Sequence, residues 1–161
     1  MLVVYHSLTG GSEQMARAAA EAAAAAEPGV DVRSMRAVDA GPADLLAADG
    51  YLFVMPENLA AIAGLMKDFF DRCYYPVLGR IEGRPYAVLV CAGSDGSSAV
   101  RQAERIATGW RLKRVAESLI VITHAQTPQQ ILAPKRVGEA DLARCAEIGA
   151  ALAAGLAIGV F

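Results

Sequence analysis

Three hydroxyl side chains and two glycines fall within the six residues Ser7-Leu8-Thr9-Gly10-Gly11-Ser12, with no Lys or Arg among them. They form a set of hydrogen-bond donors rather than an acid–base pair. Two glycines let the backbone turn sharply and bring its N–H groups close to an anion. Ser7, Thr9 and Ser12 add hydroxyls, and a helix starting at this point adds unpaired amides and the positive end of its dipole. Hydrogen bonds to a charged group are worth roughly 1.5–3 kcal/mol each, so half a dozen give a gross ~10 kcal/mol. Micromolar binding needs about 8 kcal/mol, and association itself costs several. The ligand this pattern predicts is a phosphate monoester gripped without a cation. A helix cap at Ser12 and an ordinary glycine turn would explain any one of these residues, but not the whole constellation.

Such a loop needs a strand before it and a helix after it. The apolar run Leu2 to Tyr5 and the alanine-rich stretch from Glu13 onward supply both. Four more apolar runs predict strands at Val30 to Met35, Tyr51 to Met55, Tyr86 to Ala92 and Leu119 to Thr123, each followed by a helical pattern. The run Val30-Asp31-Val32-Arg33 alternates, which marks a strand with one wet face at a sheet edge. The others are nearly continuous in apolar residues, as expected inside a parallel sheet covered on both faces. Stripes at helical spacing run through Leu65, Met66, Phe69, Phe70 and Cys73, through Val100, Ala103, Ile106 and Trp110, and through Leu142, Cys145, Gly149, Leu152 and Leu156. Repeated strand–helix alternation gives an α/β fold with right-handed crossovers. Ligands then bind beyond the carboxyl ends of the strands, where the loop after the first strand lies.

The chain of 161 residues fits one domain, residues 1–161, and no stretch is long enough for an interdomain linker. Fifteen basic and seventeen acidic residues leave a net charge of −2, so no nucleic-acid partner is expected. Three scattered cysteines, Cys73, Cys91 and Cys145, suit a reducing compartment, and two lone histidines do not predict a metal site. The first residues read directly as a strand and not as a signal peptide. The apolar stretch from Ala146 to Phe161 is short and rich in Ala and Gly, so a packed terminal helix is expected and no membrane insertion. The expected setting is cytoplasmic.

Absences narrow the phosphate ligand. There is no GxxxxGK[ST] for a nucleoside triphosphate and no GxGxxG for a dinucleotide. His6 and Ser12 stand where a tyrosine phosphatase needs Cys and Arg. His6-Ser7 and Met55-Pro56 stand where a receiver domain needs acidic residues.

The loop from Ser7 to Ser12 resembles the [ST]-x-T-G-x-[ST] phosphate loop of flavodoxins and flavodoxin-like FMN-dependent oxidoreductases. Pro56-Glu57-Asn58-Leu59 and Gly64-Leu65-Met66-Lys67-Asp68-Phe69-Phe70-Asp71 are similar to segments of the NAD(P)H-dependent FMN reductase branch. Ala92-Gly93-Ser94-Asp95-Gly96 takes the place of the third flavin-contacting loop. The resemblance implies a doubly wound, five-stranded parallel sheet in the order 2-1-3-4-5. It implies FMN as cofactor, with Ser7, Leu8, Thr9, Gly10, Gly11 and Ser12 at the phosphate. Pro56, Glu57, Asn58 and Leu59 would line the isoalloxazine and ribityl edge, and Ala92, Gly93, Ser94, Asp95 and Gly96 the pyrimidine side. Around Ala60 and Ala61 the match departs from relatives that carry aromatic or hydroxyl residues.

Neither the second nor the third loop contains Trp, Tyr or Phe, whereas electron-carrier flavodoxins stack aromatic side chains on the flavin. A bare flavin face leaves room for a nicotinamide or a quinone. That favours an oxidoreductase with NADPH or NADH as co-substrate and a small-molecule redox substrate. The alternatives are a flavodoxin-type carrier and a flavin-storage or redox-sensing domain. Arg80, Arg84, Arg101, Arg105 and Arg111 are equal candidates for a 2′-phosphate contact. Relatives of this kind form homodimers or tetramers, so a homo-oligomer is among the expected partners. His6 and Cys91 end strands beside the site and are expected to be structural. His124 follows the last strand on the ligand side, and Tyr74-Tyr75-Pro76 is expected to pack.

Overall fold

The computed structural model describes Met1–Phe161. In chain order the elements are β1 (Leu2–Tyr5), α1 (Gly11–Ala26), β2 (Arg33–Arg36), α2 (Pro42–Ala47), β3 (Tyr51–Asn58), β4 (Ala61–Ile62) and α3 (Gly64–Val77). Then follow β5 (Pro85–Ala92), α4 (Ser97–Gly109), β6 (Lys113–Arg114), β7 (Leu119–Ile122), α5 (Pro128–Leu132) and α6 (Glu139–Ile158).

Because β1, β3 and β5 are apolar on both sides, they occupy the middle of a parallel sheet, with β1 paired to β3 and β3 to β5. The half-polar β2 pairs only with β1 and forms one edge. At the other edge β5 pairs first with β6, at Pro85 and Tyr86, and then with β7, at Leu89 to Ala92. The predicted fifth strand is therefore one edge split in two, and the order 2-1-3-4-5 holds with β6 and β7 together in fifth place. Two boundaries differ from expectation by three residues, and the others by at most one. The second strand starts at Arg33 instead of Val30, and the third runs on from Met55 to Asn58.

Alternate residues of each central strand feed two cores. Leu2, Val4, Phe53, Met55, Val88 and Val90 face α3 and α4, where Phe69, Phe70 and Trp110 pack around Phe53. Val3, Leu52, Val54, Leu89 and Cys91 face α1 and α6. These two helices approach closely because Gly149 lies directly against the Ala19 carbonyl, where any Cβ would overlap it. The predicted stripes are buried, with five differences: Leu65 is exposed, and Val100, Ile106, Leu142 and Leu156 are only half-buried. In the fourth helix the buried line runs through Ala99, Ala103 and Ala107, with Val100 and Ile106 packed at its margin. No helix is long and apolar enough to cross a membrane.

Candidate functional site

The register of β1, β3, β5 and β7 brings four loops to one end of the sheet. The first is the turn from His6 into α1. Gly10 takes φ 87° there, a left-handed conformation suited to glycine, and stands as the N-terminal cap of α1 without a side-chain cap. The amide of Gly10 donates to Ser7 Oγ at 3.0 Å. The amides of Leu8, Thr9, Gly11 and Ser12 meet no acceptor in the protein, the last two as expected for the first turn of a helix. Ser12 is 1% exposed, and its Oγ is the only buried side-chain polar atom without a partner. A buried hydroxyl left unpaired costs about 1–3 kcal/mol unless a ligand satisfies it. Gly11 has no room for a side chain, since a Cβ would lie 2.6 Å from Cys91 Sγ and 3.4 Å from Lys135 Cβ. The cradle is therefore backbone, hydroxyl and dipole, as a phosphate monoester requires.

His6 closes β1, its amide donating to the Val54 carbonyl. Burial, and secondarily the Arg36 guanidinium, hold the His6 imidazole below its ordinary value. It is thus neutral beside the phosphate loop at pH 7. Burial also pushes the Cys91 thiol up to about 11, which makes it an inert filler beneath Gly11.

The second loop is more regular than its sequence suggests. Pro56, Glu57 and Asn58 continue β3, and β4 returns antiparallel to it, pairing Glu57 with Ile62 and Asn58 with Ala61. The two-residue turn consists of Leu59 at φ 51° and Ala60 at φ 58°. Both angles belong to the primed hairpin turn, which ordinarily calls for Asn-Gly. Leu59 is fully exposed and Asn58 is exposed as well. Glu57 was expected along the flavin edge, but its carboxylate is engaged by the protein. Oε2 accepts from the Gly96 amide at 2.8 Å and Oε1 from the Ala99 amide at 3.3 Å. The side chain caps α4 and ties the second loop to the third.

The third loop, Gly93 to Gly96, keeps Ser94 and Asp95 exposed, with Asp95 accepting from Ser97 Oγ at 2.7 Å. Gly96 takes φ 83° and is wedged against Ile120.

A fourth wall, missed in the sequence apart from His124, is the connection from β7 to α6. Thr123 bonds the Ala92 carbonyl through both its amide and its hydroxyl, and the Ala125 carbonyl packs on Gly93. His124 is exposed at φ 56°. Farther on, the Lys135 amide donates to the Thr9 carbonyl at 2.7 Å. A lysine thus does border the phosphate loop. Its Nζ is held by the carbonyls of Gln130, Ile131 and Ala133, so the loop itself remains a set of uncharged donors.

The aromatic pair on α3 lies elsewhere. Tyr74 stacks on Trp110 with ring centroids 5.8 Å apart, while Tyr75 is exposed. Among the arginines, Arg84 is committed to the carbonyls of Leu45, Leu46 and Ala48, Arg111 to Glu82 and Arg80 to the Pro76 carbonyl. Arg101 and Arg105 are exposed on α4. A cleft of about 540 Å³ opens at the opposite end of the sheet, lined by Met1, Asp31, Arg33 and Asp49 among others. It has no counterpart of the donor set around Ser12, so volume does not locate the chemistry here.

Comparison with known proteins agrees with this fold. A model of the NADPH-dependent FMN reductase family matches residues 37–127, which takes in the second and third loops and starts after the phosphate loop. A flavodoxin from Aquifex aeolicus (strain VF5) is 35% identical over 95 residues, 59% of this chain and 49% of that protein, so the match spans about half the length of that relative. A flavodoxin from the domain Archaea superposes with a TM-score of 0.77 over 95% of both chains at 19% identity. Rubredoxin oxygen:oxidoreductase from Desulfovibrio gigas superposes with a TM-score of 0.77 over 99% of this chain and 36% of that one, at 16% identity. At these identities the superpositions show a shared flavodoxin-like fold.

Proposed function

Since this chain belongs to the NADPH-dependent FMN reductase family, we propose that it is a cytoplasmic FMN oxidoreductase that takes electrons from NADPH or NADH. The acceptor is a quinone, a flavin or a similar flat molecule. The observation that carries the reading is the buried, unpartnered Ser12 hydroxyl in a cradle of free amides. Bound there, FMN would supply hydride acceptance and electron release.

The chain's own residues do the rest. Ser7, Thr9 and Ser12, with the free amides of Leu8, Thr9, Gly11 and Ser12, hold the phosphate, while the Gly10 amide anchors Ser7 Oγ. Pro56, Asn58 and Leu59 flank the ring on one side, and Ala92 to Asp95 on the other. Glu57 and Gly96 act at one remove by locking those two loops together. With no aromatic residue in the second and third loops, a nicotinamide has access to the ring face. Arg101, exposed in the second turn of α4 just after the third loop, is the arginine best placed for a 2′-phosphate.

The purified protein is expected to be yellow, to bleach when mixed anaerobically with NADPH or NADH, and to turn over when a quinone is added. A flavodoxin-type carrier is the second reading, favoured by the 35% identity to the Aquifex aeolicus protein. No bleaching by either nucleotide, with stable blue absorbance on photoreduction, would select the carrier.

A further inference from the structure

Gln14 is the residue in this region whose role neither the family resemblance nor the loop motif accounts for. It sits half-buried in the first turns of α1, and its amide group makes three bonds. Nε2 donates to the Gly10 carbonyl at 2.9 Å and to the Lys135 carbonyl at 2.8 Å, while Oε1 accepts from the Val137 amide at 3.2 Å. Two of these partners lie more than a hundred residues away in sequence. The Lys135 amide completes the junction by donating to the Thr9 carbonyl.

These contacts fix the phosphate loop from behind. All peptide bonds here are trans, so a carbonyl and the N–H of the next residue point in opposite directions across one rigid plane. Holding the Thr9 carbonyl on Lys135 therefore sets the direction of the Gly10 amide, which in turn anchors Ser7 Oγ. Holding the Gly10 carbonyl on Gln14, through its backbone amide at 3.1 Å and its side chain at 2.9 Å, sets the direction of the Gly11 amide, which has no acceptor in the protein. Two glycines in succession would otherwise let this loop sample many conformations, at an entropic cost on binding. We infer that Gln14 is a positioning residue that clasps the 135–137 segment to the phosphate loop and thereby pre-orients the amides that select a phosphorylated flavin over an unphosphorylated one. The inference rests on the FMN-binding reading above. Pre-organised donors gain affinity because their ordering is not repeated at each binding event.

The test compares FMN with riboflavin, which shares the ring and ribityl chain and lacks the phosphate. Each is titrated into apo-protein by flavin fluorescence, for the wild type, Gln14→Met and Gln14→Glu. Met keeps the length and packing and loses all three bonds, while Glu keeps an acceptor for Val137 and loses both donors. Both variants are expected to weaken FMN about tenfold or more, to change riboflavin by less than about threefold, and so to collapse the preference between the two. An unfolding scan of each apo-variant shows whether it is folded at the titration temperature. Equal losses for both flavins, or an unchanged preference in both variants, would overturn the role of Gln14. A wild type that binds riboflavin as well as FMN would overturn the phosphate reading itself, so the two failures are told apart.

Discussion

Replacing Gly11 with alanine should destabilise the protein, whereas the same replacement should cost nothing further once Cys91 is already alanine. The added Cβ would lie 2.6 Å from Cys91 Sγ, about 1 Å inside an ordinary non-bonded contact of 3.5–4.0 Å. Neither backbone can yield easily. Cys91 is fixed between β3 and β7 through Pro56 and Val121, and Gly11 is the first residue of a helix packed on α6. Overpacking of this kind costs about 1–3 kcal/mol, offset by at most ~1 kcal/mol of helix propensity, so the single variant should lose roughly 1–2 kcal/mol. Cys91→Ala removes one buried sulfur and should cost about 1 kcal/mol. If the sulfur is what the new methyl meets, the double variant should be no worse than Cys91→Ala alone, a coupling of about 1–2 kcal/mol. Urea unfolding of the four proteins measures this, and for a chain of this size 1 kcal/mol corresponds to about 2–4 °C in Tm. Additive losses, or a Gly11→Ala variant as stable as the wild type, would refute the close approach of β5 to the phosphate loop.

Other outcomes follow from the same geometry. Glu57→Ala should cost roughly 1.5–3 kcal/mol in urea unfolding, because the α4 amides lose a charged acceptor, with Glu57→Gln falling between it and the wild type. For His6 the folded state holds its proton less tightly than the unfolded chain. As pH falls through the unfolded value of about 6.5, the unfolded state gains the proton first and stability drops. Replacing His6 with Asn should flatten the stability profile between its lowered folded value and 6.5, as read from Tm against pH. The three thiols, each pushed up to about 11 by burial, should resist alkylation at pH 8 in the native protein and react once it is unfolded in urea. Arg101→Ala should raise KM for NADPH about tenfold and leave KM for NADH unchanged, consistent with loss of one charge-assisted contact.

What the sequence revealed and what it hid have physical causes. The central strands were legible because burial on both faces leaves an uninterrupted apolar run, whereas the alternation Val30 to Arg33 pointed to the second strand but precedes all of it except Arg33. The donor cluster from Ser7 to Ser12 was legible because its members are local, all within six residues. The β3–β4 hairpin was hidden because its turn is Leu59-Ala60, residues that avoid the left-handed conformation they adopt here. A Gly or Asn would have marked it. Glu57 was placed at the flavin by its motif, but its partners are helix amides some forty residues onward, and no local pattern signals such a cap. In the 123–137 segment only His124 was singled out from the sequence. The segment's role as a wall depends on Gln14 and Lys135, which meet only after the whole sheet has formed. Arg84 was one of five equal candidates for a 2′-phosphate contact, and its guanidinium instead satisfies the carbonyls at the end of α2, partners that no local pattern signals.

The most direct measurement is a parallel titration of apo-protein with FMN and riboflavin, each followed by quenching of flavin fluorescence. Micromolar or tighter FMN binding, at least about 8 kcal/mol, is expected together with a clear preference over riboflavin, and Ser12→Ala should reduce that preference. No quenching by FMN, or equal affinity for the two flavins, would contradict a phosphate site at Ser7 to Ser12.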